Sequence, residues 1–119
     1  MKKRRLLAIV MAMMMVVAFG MTSMASASTS NTLNGIYGSL TTGTRQANGA
    51  TTNKNNGTSY VSVKAHYTAT SGDDYWSPKA EKSSNTKAVN ASANVSGSVF
   101  GGESGHGEKK SSIMFNLSL

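Results

Sequence analysis

The chain has 119 residues, a formal charge of +7, twelve Lys and Arg against five Asp and Glu, and no cysteine. That length allows one small domain behind any targeting segment, and the missing cysteine excludes a disulfide scaffold, a thiol catalyst and a thiolate metal site. Four of the basic residues stand at the extreme N-terminus, so the remainder is only mildly cationic and lacks the clustered Lys/Arg stripe of a nucleic-acid binder.

Lys2-Lys3-Arg4-Arg5, the apolar run Leu6 to Met21 and Ala25-Ser26-Ala27 make up the three parts of an export signal: a basic head, an apolar middle and small residues before the cut. The expectation is a cleavable helical signal peptide over 1–27, with Ala25 and Ala27 at the cleavage site, followed by a single secreted domain over 28–119. A membrane anchor is the competing reading, but a spanning helix wants about 20 apolar residues, and Gly20, Thr22 and Ser23 interrupt this run. Arg4-Arg5 resembles a twin-arginine signal, although Lys3 stands where Ser or Thr is usual, so general export is the simpler expectation. With no lipid-attachment cysteine and no wall-sorting tail of the LPxTG kind, the mature product is expected outside the cell, with membrane contact only through its leader.

The mature segment keeps eight basic and five acidic residues. That balance supports mild attraction to anionic walls or headgroups. Leu33 to Leu40, with Ile36 and Tyr37 and interrupted by Gly35 and Gly38, reads as a strand with a bulge or a close backbone approach. Thr41 to Ala47 is a weaker strand candidate. Asn48 to Gly57, rich in Asn and Gly, reads as a turn region.

From Thr58 to Thr70 the letters alternate: Val61, Val63, Ala65, Tyr67 and Ala69 on one side, Ser62, Lys64, His66, Thr68 and Thr70 on the other. This is the period of a strand with one buried face. Ser71 to Asn85 reads as the longest connection and holds Asp73-Asp74-Tyr75-Trp76-Ser77-Pro78. Alternation returns from Lys87 to Val99, where Val89, Ala91, Ala93, Val95 and Val99 share a face. It returns again at the C-terminus, where Ser111, Ile113, Phe115, Leu117 and Leu119 point inward and Met114 is the apolar exception outside. Gly101 to Gly107, with four glycines, reads as the hairpin loop between the last two strands.

Runs this long exceed the usual strand of about five or six residues. A small antiparallel β-sandwich is therefore expected, because two packed sheets bury one face of each. Its core of Ala and Val is thin for a chain without disulfides, so self-association through edge strands or a bound ion is expected to complete it.

Several constellations can carry chemistry. Asp73 and Asp74 beside Gly72 offer oxygen ligands to calcium, but two acids are few and an acidic turn is the plainer reading. His66 and His106, with Glu103 and Glu108, form a metal set only if the glycine loop folds back on the sheet. Both histidines are otherwise expected in solvent. A Ser-His-Asp hydrolase is allowed by composition, yet the Gly-x-Ser-x-Gly elbow is absent, so no enzyme and no cofactor are expected. Four Asn-x-Ser/Thr triplets, at Asn56, Asn90, Asn94 and Asn116, are what chance gives in so Asn- and Ser-rich a chain. Tyr75 and Trp76 are the candidate ligand-binding pair, since loop aromatics stack on sugar rings or sit among headgroups; Trp76 as a plug for the open end of the core is the equal alternative.

Gly35-Ile36-Tyr37-Gly38, Lys64-Ala65-His66-Tyr67-Thr68-Ala69-Thr70, Ala91-Ser92-Ala93-Asn94-Val95 and the ending from Glu108 through Asn116 make the layout resemble the small secreted β-sandwich bacteriocins of the lactococcin type. The tryptophan-rich character of that family is reduced here to Trp76. The resemblance implies a secreted peptide that targets the envelope of competing Gram-positive bacteria through a cell-wall precursor, with no contact residue transferable. The residues themselves lead to an exported non-enzymatic domain that binds wall polymer, a surface glycan or copies of itself. The bacteriocin is the alternative.

Overall fold

The computed structural model describes residues 27–55 and 57–119, which form nine strands and no helix. The expected leader up to residue 26, Ala25 included, lies outside the described residues. Ala27 is the first residue of a strand.

β1 (Ala27–Leu33) and β2 (Ile36–Thr42) form a hairpin closed by Asn34 and Gly35, both at positive φ, 45° and 84°. Two such residues make the tight turn whose twist matches that of the paired strands. Gly35 is therefore a turn residue, in place of the bulge or close approach expected within a strand, whereas Gly38 is a close approach, under His106. β3 (Gln46–Asn53) pairs with β2, so most of the expected turn region Asn48 to Gly57 is strand. Its alternate residues Ala47, Gly49, Thr51 and Asn53 are buried. Asn and Gly mark turns where their polar groups face water; here the Asn53 side chain is buried and donates through Nδ2 to the Thr58 carbonyl, 2.7 Å, while Oδ1 accepts from the Asn55 backbone. That side chain holds the crossing from the first sheet to the second.

β4 (Ser59–Thr68) carries the expected alternation, with Val61, Val63 and Ala65 buried. The strand ends at Thr68, so Ala69 falls in the following turn. The expected connection Ser71 to Asn85 contains two short strands, β5 (Asp74–Trp76) and β6 (Ala80–Ser84), both antiparallel to β4. Together they make one edge, broken at Ser77-Pro78-Lys79. Pro78 has no N–H for a ladder and is tolerated at such a break. There the backbone of Ser77 donates to the Ala65 carbonyl (2.8 Å), while its hydroxyl accepts from the Ala65 N–H (2.9 Å) and keeps the ladder continuous.

The run Lys87 to Val99 is divided between β7 (Ala88–Asn94) and the start of β8 (Ser98–Lys109), with the chain crossing between sheets at 95–97. Val89 and Ala93 are buried as the alternation requires. β8 overturns the expected Gly101 to Gly107 loop: those residues lie in the longest strand, between β4 and β9 (Ser112–Ser118). Glycine is unfavourable in isolated strands but needs little room, and here it admits groups from the facing sheet and from neighbouring strands. The hairpin turn is Lys110-Ser111 instead. In β9 Phe115 and Leu117 face the core as the alternation requires, but a register shift opposite Gly107 reverses the parity at the start of the strand. Ile113 turns outward, 41% exposed, whereas Met114 is half-buried and its sulfur lies 3.8 Å from Asn34 Nδ2.

The result is two antiparallel sheets, one ordered β1-β2-β3-β7 and the other β5-β4-β8-β9 with β6 also on β4. Leu40, Ala47, Val63, Ala65, Ala93 and Leu117 pack between them. The two-layer all-β architecture expected from alternation is the one observed.

Candidate functional site

Adjacent strand residues point to opposite faces, so β5 separates the two aromatics that the sequence places together. Tyr75 sits opposite Tyr67, on the face that looks toward the first sheet, with ring centroids 6.0 Å apart. Trp76 sits opposite His66 on the outer face of the second sheet. It is 43% exposed and does not plug the core.

Three rings form a shelf on that outer face. The Trp76 indole lies flat on the His66 imidazole, centroids 4.2 Å apart and 10° from parallel, and Phe100 packs on the other side of His66 at 4.3 Å. Phe100 is 53% exposed. It occupies the register shift of β8 opposite His66 and Tyr67, which turns it to the same side as His66. His66, expected in solvent, is thus held between two rings. Alternation alone puts His66 among the outward residues of β4, but nothing local points to Phe100, whose direction depends on the bulge.

The shelf continues into a groove of about 330 Å³ lined by Ser62, Lys64, Lys79, Glu103, Lys110 and Asn116. Lys64 belongs to both parts, since its ammonium lies 5.3 Å from the Trp76 ring centre. The floor is open because Gly105 has no side chain: a Cβ there would lie 3.0 Å from Ser62 Oγ and 3.1 Å from Asn116 Oδ1. At the far end the Tyr60 hydroxyl donates to Glu81, and Lys110 reaches the other Glu81 oxygen at 3.6 Å. Burial, then the carboxylate partner, pushes the Tyr60 phenol up to about 12. The Tyr60 hydrogen bond, aided by Lys110 and Lys79, holds the Glu81 carboxyl below its ordinary value.

The remaining candidates are accounted for elsewhere. Asp74 accepts from the Thr68 hydroxyl at 2.8 Å, and Asp73 exchanges contacts with Ser71 around Gly72, so both aspartates serve the β4–β5 turn. His106 is fully buried between the sheets, contrary to the expected solvated loop. Its Nδ1 pairs with Thr51 Oγ1 and its Nε2 with Ser104 Oγ, both at 2.7 Å, and Phe115 stacks on the ring at 5.3 Å. Loss of solvation pushes this imidazole down to about 4, against a smaller upward pull from the Ala50 backbone. His66 and His106 lie on opposite faces of one sheet and cannot share an ion. Among the described residues no three His, Cys, Asp or Glu side chains converge. The Ser104–His106 contact has the spacing of a nucleophile and its base, yet both residues are sealed inside the sandwich.

Fold and site together define a two-sheet antiparallel β-sandwich with an aromatic shelf and a polar groove on one outer face. No family model, no curated protein and no solved structure matches the chain.

Proposed function

We propose that the protein is an exported, non-enzymatic binding domain that engages a cell-wall polymer or surface glycan through the outer face of its second sheet. The observation that carries this reading is the shelf of Trp76, His66 and Phe100, exposed beside a groove of charged and amide side chains. A sugar ring has an apolar C–H face that stacks on an aromatic and a rim of hydroxyls that needs donors and acceptors. The shelf answers the first need, and Lys64, Glu103 and Asn116 answer the second.

Export rests on the N-terminal pattern of basic head, apolar run and Ala25-Ser26-Ala27. A non-catalytic role is favoured because the Ser104–His106 pair, in contact among the described residues, is enclosed by the core. The bacteriocin alternative would use the same face and differ in its consequence for the bound cell.

The test is cosedimentation of the purified protein with cell-wall sacculi from a panel of bacteria. The expected result is retention of the native protein and loss of retention for Trp76→Ala, with the far-ultraviolet spectrum unchanged. Equal retention of both proteins, or no retention on any wall, overturns the reading. Clearing of bacterial lawns by the same preparation would establish the antimicrobial alternative.

A further inference from the structure

We infer that β1 is a dimerisation edge, at which the same strand of a second copy adds antiparallel and centred on Ser30. The inference starts from a contrast among the sheet edges. An open strand edge templates pairing with another chain, and proteins guard such edges with charge, proline, bulges or a covering element. β5 and β6 carry the Ser77-Pro78-Lys79 break together with Glu81 and Lys82. β9 carries a register shift and follows Lys109 and Lys110. β7 buries Val89 and Ala93 and runs beside β6, to which residues 85–87 join it.

Among the described residues, β1 has none of these guards. Ala27–Leu33 contains no charge and no proline, and its register on β2 is unbroken over seven pairs. It also buries almost nothing, since only Thr29 is half-buried and its neighbours are exposed on both faces. A strand held by one ladder, with only β9 lying against one of its faces, lacks much of the burial that ordinarily repays ordering it. A second ladder would supply the missing contacts.

Register follows from the hairpin. In a two-residue β-turn the flanking residues form a hydrogen-bonded pair, and such pairs alternate along the ladder. Leu33 with Ile36, Asn31 with Gly38 and Thr29 with Leu40 are therefore the bonded pairs. Ser28, Ser30 and Thr32 turn their N–H and C=O groups away from β2, toward the open side. A two-fold arrangement that uses all three places Ser30 opposite Ser30 of the second copy, and Ser28 opposite Thr32. Small hydroxyl side chains meet across that ladder, and Thr/Ser pairs are favourable there. The partner is thus another molecule of this chain, joined in a closed isologous pair.

The absence of cysteine makes the register directly testable. Facing residues of a bonded antiparallel pair have Cα atoms about 5.5 Å apart, within the span of about 4.4–6.8 Å that a disulfide bridges. The full chain is expressed carrying Ser30→Cys, purified and mildly oxidised. The expected product is a covalent dimer, whereas Ser28→Cys, whose copies would lie roughly 14 Å apart, stays monomeric on a denaturing gel. In sedimentation equilibrium the unsubstituted protein shows twice the monomer mass, and both Ser30→Pro and Ser30→Lys show the monomer mass. Ser30→Pro removes an outward N–H without touching a β1–β2 bond, and Ser30→Lys covers the case in which proline disturbs the strand. A monomeric unsubstituted protein, a dimer that survives both Ser30 substitutions, or cross-linking at Ser28 and Ser30 alike overturns the inference. Trp76→Ala should remain dimeric, which separates this result from the glycan-binding test.

Discussion

The His106 ring lies over Gly38 so closely that a Cβ added at Gly38 would stand 2.4 Å from it. The two residues belong to facing sheets, β8 and β2, and the missing side chain of one is the space occupied by the other. Gly38→Ala must therefore displace a fully buried ring that is held at both nitrogens. Forcing a methyl into a filled core costs about 1–3 kcal/mol, and the lost contacts to Thr51 and Ser104 add to it. The expected outcome is a large fall in the urea midpoint, or failure to fold. A midpoint within error of the native protein would mean that the ring does not rest there.

Acid should weaken the same locus. The buried imidazole titrates near 4, whereas in the unfolded chain it titrates near the ordinary 6.5. Between these values the unfolded state binds more protons, so stability rises with pH and is lost as pH falls from 6.5 through about 4. The full shift corresponds to at most about 3 kcal/mol. Glu81, whose folded value is lowered, adds a loss in the same direction at more acid pH. Urea unfolding at a series of pH values, for the native protein and His106→Asn, separates the two. The variant should be weaker at neutral pH and flatter across the His106 window. Parallel curves for the two proteins would remove His106 as the cause.

Much of the fold was legible because alternation reports burial directly. Val61, Val63 and Ala65, and again Val89 and Ala93, face the seam as their spacing requires. What failed was reading glycine and asparagine as turns. Gly101 to Gly107 and Asn48 to Asn53 lie in strands, where Gly49, Gly102 and Gly105 leave room for groups of neighbouring strands and of the facing sheet. The Asn34-Gly35 dipeptide is itself a strong hairpin signal, and the two glycines of that segment have different roles, Gly35 in the turn and Gly38 under the His106 ring. Ile113 and Phe100 point where they do because of register shifts, which depend on partner strands distant in sequence. Trp76 was legible as a candidate from its chemistry alone; its companions required the sheet.

Ser77 offers a local test of the broken edge. Its hydroxyl replaces a backbone carbonyl as the acceptor for the Ala65 N–H, in a buried position, and itself donates to the Pro78 carbonyl. Ser77→Ala leaves that N–H without its acceptor, at a cost of about 1–3 kcal/mol. Hydrogen exchange at Ala65 should quicken in step with the loss of stability. An unchanged exchange rate would indicate that the edge closes in another way.

Tyr75 and Trp76 are adjacent in sequence, so comparing them tests whether a face or a loop does the binding. Were the segment a flexible aromatic loop, truncating either residue would weaken retention on cell walls alike. Strand geometry gives a different outcome, because Tyr75 packs with Tyr67 on the side of the first sheet and Trp76 packs with His66 outside. Tyr75→Ala should leave wall retention within about twofold while lowering stability by about 1 kcal/mol, since half-exposed aromatics contribute modestly. Trp76→Ala and Phe100→Ala should each cost at least tenfold in retention, about 1.4 kcal/mol, with the urea midpoint nearly unchanged. Replacing Lys64 by Met should give an intermediate loss that diminishes at high salt, where the charge of the ammonium is screened. If Tyr75→Ala proves as damaging as Trp76→Ala, the two side chains act together and the outer face is not the binding surface.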